Sequence, residues 1–178
     1  SRPLYDLCDW LHVSRIAPDI YHHYISAIAK KTWKNQLDDT SLQVITSLSE
    51  CHPATIYRFC ENIWSRHMED QKDTNKEQIE RVWYDYVHNQ RFRIKDKLAH
   101  LNNSQLKVLA LIATQDKNPL TGKHVQILLN LSGAAITKAL TQLEELELIE
   151  QTTDKSYKVI EPLVKAVLNE TYARYLEK

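Results

Sequence analysis

Residues 121–160 read TGKHVQILLNLSGAAITKALTQLEELELIEQTTDKSYKVI, and this stretch decides the fold of the C-terminal half. Apolar residues recur at helical spacing in two segments that meet at a short turn, 129–132, and Ser132 can cap the second segment. Two β-prone segments, 148–151 and 157–160, follow on either side of a polar turn. The stretch therefore predicts two short helices and then a β-hairpin.

Further helical patterns flank this stretch. Asn103 and Ser104 can cap a helix with an apolar stripe, and Pro162 begins a last helix after the hairpin. Three helices, a hairpin and another helix form the order of a winged helix-turn-helix. The segment 136–149 resembles the recognition helix and first wing strand of many winged-helix regulators. Glu147 stands where those proteins often have glycine.

The N-terminal half has a helical pattern as well. Pro18 and Pro53 stand where helices can begin, because proline fits the first helical turn. The polar cluster at 38–41 predicts a helix cap, and residues 74–77 have a capping-box pattern ahead of a long helix. We therefore predict a mainly α protein. A helical bundle over residues 1–91 precedes a winged-helix domain with a small hairpin over residues 92–178.

Glycine is scarce in this chain. The sequence has two, Gly122 and Gly133, whereas average usage of about 7% would give about twelve. Glycine supplies the positive-φ positions of hairpins and of phosphate-binding loops. The scarcity therefore argues against an all-β fold and against a Rossmann or P-loop nucleotide site, and the pattern G-x-x-x-x-G-K-[ST] is absent. We predict no catalytic residue and expect that this chain is not an enzyme on its own.

Charge and cysteine content set further limits. The 23 basic side chains balance 23 acidic ones, so neither half has the strongly basic character of a tight nucleic-acid binder. Cys8, Cys51 and Cys60 contain no C-x-x-C pair, which fits reduced thiols and a cytoplasmic location. No apolar run approaches the length of about 20 residues that spans a bilayer, so no membrane partner is expected. The adjacent His22 and His23 are too few for a structural zinc site, and no metal or cofactor is predicted.

The predicted recognition helix and wing supply the candidate contacts with duplex DNA. A DNA reader presents polar and basic side chains from this helix and holds phosphates from the wing. The DNA-binding candidates are Ser132, Thr137, Lys138, Thr141, Lys155 and Lys158. Glu144 and Glu145 would repel phosphate, so a winged helix that binds protein, or only packs, is the alternative.

A basic patch lies near the predicted domain boundary. It consists of Arg91, Arg93, Lys95 and Lys97. The patch is either a solvated helix face or a second contact with phosphates.

A second resemblance lies in the first half. Residues 42–64 read LQVITSLSECHPATIYRFCENIW and resemble the lid segment of archaeal-type ATPases, which belong to the AAA+ and STAND NTPases. That segment has a helix, a motif written t-g-G-h-P, and a second helix that ends in tryptophan. His52 and Pro53 match the motif, Trp64 matches the final aromatic residue, and Cys51 replaces the second glycine.

The resemblance covers nearly the whole chain through the order of its elements, because these ATPases commonly carry a winged helix after the lid. It implies that residues 1–91 are lid-like, that His52 and Pro53 lie near a nucleotide, and that the chain is the non-catalytic C-terminal part of a multidomain ATPase. Its partners would be double-stranded DNA and a nucleotide-binding domain in cis. The alternatives are a free-standing winged-helix transcription regulator and a protein-interaction adaptor without DNA binding.

Overall fold

The computed structural model describes residues 15–34, 37–70, 74–114, 120 and 122–176, apart from the side chains of residues 70 and 172–176. Within these ranges the protein is mainly helical with one small antiparallel sheet, in agreement with the predicted mainly α class. In chain order the elements are α1 (Pro18–Ile28), a π-helical segment (Ala29–Trp33), α2 (Asp39–Leu48), α3 (Pro53–Asp70), α4 (Lys76–Leu98), α5 (Asn103–Thr114), α6 (Lys123–Leu129), α7 (Gly133–Glu145), β1 (Ile149–Gln151), β2 (Tyr157–Val159) and α8 (Pro162–Leu176).

The starts of several helices follow local sequence signals. Three helices begin at a proline: Pro18, Pro53 and Pro162. The Asp38 side chain accepts a hydrogen bond from the Ser41 backbone N–H at 2.8 Å, and Ser132 Oγ accepts one from the Ala135 N–H at 3.2 Å. Each cap satisfies a first-turn N–H that has no partner within its own helix. The caps predicted within 38–41 and at Ser132 are therefore confirmed.

Two other caps lie one residue away from the predicted positions. In α4 the capping box joins Asn75 and Gln78. Before α5, the Gln105 N–H donates to the Asn102 side chain at 3.0 Å, and the Asn102 N–H donates back to the Gln105 side chain at 2.8 Å. A capping box needs Glu or Gln three residues after the cap. Asn75 and Asn102 each form both hydrogen bonds of the box, and α4 and α5 begin at the next residue.

Helix α4 connects two hydrophobic clusters. The N-terminal cluster is built from α1 to α3 and receives Ile79 and Val82 from α4, whereas the C-terminal cluster receives Val87 and Ile94. Trp83 packs against both clusters. The 23-residue helix continues without a break through position 92, where the sequence predicts a domain boundary. The two clusters are consequently held on one helix.

The hairpin closes one side of the C-terminal cluster. Strands β1 and β2 pair antiparallel, with Ile149 opposite Val159 and Glu150 opposite Lys158. Ile149 and Val159 are buried. Because neighbouring residues on a strand point to opposite faces, Glu150 and Lys158 share the outer face of the hairpin. In the connecting turn, hydrogen bonds from the side chains of Thr152 and Ser156 lower the pKa of Asp154 to about 2.

No helix in the described part of the chain is long and apolar enough to cross a membrane.

Helix α7 ends at a residue in the left-handed region. Glu147 has a φ of 53°, and the next N–H, that of Leu148, donates to the Leu143 carbonyl at 3.0 Å. This is the hydrogen bond of a Schellman motif, in which glycine is the usual left-handed residue. Glu147 therefore has the backbone conformation that glycine most often has after the end of a helix.

Glu147→Gly should raise the free energy of unfolding by about 0.5–1 kcal/mol, because glycine adopts positive φ without the steric cost that glutamate has. Glu147 is exposed, so little side-chain packing is lost. The measurement is urea denaturation followed by circular dichroism. The control is Glu144→Gly within α7, which should lower stability by about 1 kcal/mol. Equal destabilisation by both substitutions would contradict the assignment.

Candidate functional site

The four candidate contacts on the predicted recognition helix lie on the exposed side of α7 and its cap. Ser132, Thr137, Lys138 and Thr141 are all exposed. The Thr137 hydroxyl donates to the Gly133 carbonyl at 3.1 Å, and the Thr141 hydroxyl donates to the Thr137 carbonyl at 3.2 Å. Their oxygen atoms remain available as acceptors. These threonines are therefore suited to accept from base amino groups rather than to donate to phosphates.

Lys138 is the cation of the α7 face. It lines a shallow groove between α7 and the start of α5, together with Asn102, Ser104 and Gln142. Within the described ranges it has no ion-pair partner. Its ammonium group is consequently free to meet an anion that approaches α7 from solvent.

The two wing lysines differ in their surroundings. Lys155 is exposed in the turn between the strands, at a φ of 64°. Lys158 Nζ lies 3.0 Å from Glu150 Oε1 across the hairpin. The charge of Lys158 is therefore partly neutralised in the free protein, whereas that of Lys155 is open to solvent.

Acidic and apolar side chains are also exposed on α6 and around the end of α7. Glu144 and Glu145 are exposed at the end of α7. Ile127 on α6 is 80% exposed and Leu146 is 43% exposed. The sequence indicated the two glutamates but not the exposure of Ile127 and Leu146. The helical spacing of apolar residues does not show which of them remain exposed.

The turn that matches the ATPase motif has an uncommon backbone. Glu50 has a φ of 47° and Cys51 a φ of 53°, so both positions that the motif writes as glycine are left-handed. Each such conformation costs a non-glycine residue roughly 1–3 kcal/mol. Cys51 is buried, and Glu50 pairs with Arg15 at 3.3 Å and with Lys165 at 2.9 Å. These contacts help to hold the turn in place.

His52 serves as a cap for α3. Its Nδ1 accepts a hydrogen bond from the Thr55 N–H at 3.3 Å and lies 3.0 Å from Thr55 Oγ1. Burial, with the nearby Arg15 guanidinium as a second cause, lowers the pKa of His52. The ring is therefore neutral near pH 7. It also lines a polar cleft shared with Arg58 and Arg93, and Pro53 follows it at the first turn of α3.

The basic patch at 91–97 is mostly occupied within the protein. Arg91 pairs with Glu170 at 2.5 Å. Arg93 and Lys97 pair with Glu161 at 3.5 and 2.8 Å. The patch thus joins α4 to α8 and the residue before it, which favours the structural interpretation over a second phosphate contact.

A cluster of charges that the sequence did not indicate joins the two halves. We call Arg15, Glu50, Glu150, Lys158 and Lys165 the Arg15 cluster. The Arg15 guanidinium donates to the Glu50 carbonyl and to the Ile160 carbonyl, each at 2.7 Å. The second bond spans 145 positions. Neither periodicity nor local motifs carry information over that distance.

Among the described residues, no group of three His, Cys, Asp or Glu side chains could hold a metal ion.

Comparison with known proteins identifies no relative. No protein-family model, curated protein or solved structure matches the chain. The resemblances to winged-helix regulators and to ATPase lids therefore rest on residues of this chain alone.

His52→Gln should reduce the loss of stability on acidification. A histidine whose folded pKa is below its unfolded value of 6.5 binds protons more readily when unfolded, so stability is full above pH 6.5 and is lost as pH falls through the folded pKa. Urea midpoints measured from pH 7.5 to pH 5 should fall less steeply in this variant than in the wild type. His124→Gln, which changes an exposed histidine, is the control. Parallel curves for His52→Gln and the wild type would overturn this role.

Proposed function

We propose that the C-terminal half is a winged helix that binds double-stranded DNA weakly, within the non-catalytic C-terminal part of a multidomain ATPase. The observation that carries the proposal is the exposed polar face of α7, with the unpaired Lys138, directly followed by a hairpin that has two lysines. A helix presented in this way can enter a major groove while the hairpin meets the flanking backbone.

The order and packing of the elements support the winged-helix part of this proposal. Helix α5 packs on α7 and α8, and α7 leads directly into β1. Ile136 and Leu140 are buried on the inner face of α7, which leaves Thr137, Lys138 and Thr141 outward. The core thus fixes which face of the helix is free to bind.

The charge distribution predicts weak binding. Among the described residues Lys138 and Lys155 have no ion-pair partner, whereas Lys158 is shared with Glu150. Glu144 and Glu145 are close in sequence to the binding face. Three lysines acting on three phosphates give a slope of log affinity against log salt of about −3. Contact is expected to be mostly electrostatic, with a sequence preference that comes from α7.

The combined change Lys155→Ala and Lys158→Ala should weaken binding to all sequences and flatten the salt slope by about two. The assay is fluorescence anisotropy of a labelled mixed-sequence duplex, starting at low salt. The matched control is Lys30→Ala with Lys31→Ala, because these two lysines are exposed near the end of the N-terminal π-helical segment. Lys138→Ala should in addition reduce the preference between duplex sequences.

Absence of duplex binding at low salt, or a salt slope that the wing variants leave unchanged, would overturn the proposed DNA binding. The second candidate, a protein-interaction module, would then be favoured by the exposed apolar side chains of Ile127 and Leu146 and by the exposed Glu144 and Glu145 that precede Leu146 in the chain. Such a surface fits a partner that offers both apolar and basic groups.

The ATPase part of the proposal is supported by the turn before α3. Glu50 and Cys51 have the left-handed conformation that the glycines of the lid motif would adopt freely. Pro53 begins α3, whereas Trp64, which the motif places at the end of this helix, lies before the end of α3 at Asp70. At Cys51, where the sequence departs from the motif, the backbone has the positive φ that glycine favours.

The test of the ATPase assignment is the full reading frame that encodes this chain. The proposal predicts an upstream strand, the pattern G-x-x-x-x-G-K-[ST] and a helix in the same frame. A frame that lacks this pattern would favour the free-standing regulator. His52 and Pro53 would be the nucleotide-proximal residues, so replacement of His52 should weaken nucleotide binding by the whole protein.

A further inference from the structure

The hairpin is tied to the N-terminal half by the Arg15 cluster. Arg15 Nη1 donates to the Glu50 carbonyl, and Arg15 Nη2 donates to the Ile160 carbonyl just beyond β2, both at 2.7 Å. Lys165 on α8 meets the Glu50 carboxylate at 2.9 Å. The side chains of Arg15, Glu50 and Lys165 are 21%, 27% and 23% exposed. These pairs are therefore screened less by salt than fully exposed pairs.

One carboxylate oxygen in this cluster faces two cations. Glu150 Oε1 lies 3.0 Å from Lys158 Nζ and 3.8 Å from Arg15 Nη2. The Lys158 contact is the shorter, and it lies at the open end of the cluster, where the side chains of Lys158 and Glu150 are 42% and 38% exposed. An anion from solvent can reach Lys158 without displacing Arg15.

We propose that Glu150 is an autoinhibitory contact of the hairpin. In the free protein its carboxylate occupies Lys158. When a DNA backbone phosphate takes Lys158, Glu150 is released and turns to Arg15. This inference rests on the proposed DNA binding, because the duplex is the source of the phosphate. The inference adds that Glu150 competes with the duplex for Lys158 and so limits the affinity. It also adds that Glu150 is connected to the N-terminal half through Arg15.

Through Arg15, binding at the hairpin affects the turn that precedes His52. Arg15 also holds Glu50, which lies in the turn before His52. A Glu150 released by phosphate strengthens the contact of the hairpin with Arg15 and thereby with this turn. By linkage, a change that favours the Arg15–Glu150 pair must also favour phosphate at Lys158.

Glu150→Gln removes the competing charge and keeps the shape of the side chain. It should raise affinity for the mixed-sequence duplex at low salt by about threefold to fivefold, the upper part of the range for an exposed ion pair. The matched control is Glu77→Gln, an exposed glutamate in the first turn of α4 that has no lysine partner within the described ranges. It should raise affinity less than twofold. In a Lys158→Ala background the gain from Glu150→Gln should fall to that of the control.

Arg15→Gln tests whether the competitor is coupled to the rest of the cluster. Without Arg15, Glu150 pairs with Lys158 alone, so duplex affinity should fall by about twofold to threefold. In the Glu150→Gln background the same substitution should have no effect. If Arg15→Gln lowered duplex affinity only by removing one positive charge, the affinity would fall equally in the wild type and in the Glu150→Gln variant.

The outcomes separate this inference from the proposed function. Duplex binding by the wild type with equal gains from Glu150→Gln and Glu77→Gln overturns the autoinhibitory contact alone, as does an Arg15→Gln effect that is independent of Glu150. Absence of duplex binding by the wild type and by Glu150→Gln overturns both. Circular dichroism spectra that superimpose on that of the wild type establish that each variant is folded.

Discussion

Helix α4 is the constraint on which the rest of the structure depends. Ile79 and Val82 anchor its first half in the N-terminal cluster, and Val87 and Ile94 anchor its second half in the C-terminal cluster. Each buried side chain of this size contributes roughly 1.5–3 kcal/mol. A rigid helix with both ends buried in this way fixes the distance and the rotation between the two clusters.

Polar contacts further stabilise the relative placement of the two clusters that α4 connects. Arg91 and Lys97 pair with acidic residues on and just before α8. Arg15, which precedes α1, donates to the Ile160 carbonyl just beyond the hairpin. Partly buried pairs of this kind add specificity to an arrangement that apolar packing stabilises. The hairpin is therefore attached to the N-terminal half as well as to the C-terminal cluster.

Local signals predicted much of this fold. Helix starts at Pro18, Pro53 and Pro162 and the cap at Ser132 depend on a few neighbouring residues, so the sequence alone indicates them. The hairpin was predicted for the same reason. The register of the hairpin was not predicted, and this register places Lys158 opposite Glu150. Helical periodicity predicts which face of α7 is exposed. It does not predict the ion pair between Lys158 and Glu150.

Long-range features could not be predicted. The continuity of α4 through position 92 results from burial on both sides of that point, and the hydrogen bond between Arg15 and Ile160 joins opposite parts of the chain. The left-handed Glu50 and Cys51 also run against residue preference. Their conformation depends on tertiary contacts such as the pairs of Glu50 with Arg15 and Lys165.

Native-state hydrogen exchange along α4 tests most directly whether one helix couples both clusters. The mild substitution Ile79→Val removes one methylene group from the N-terminal cluster and should cost about 0.5–1.5 kcal/mol. If α4 couples the clusters, the opening free energies of the amides of Val82 and Ile94 will fall by the same amount, because both open in one cooperative unit. A fall at Val82 with no change at Ile94 would contradict the coupling.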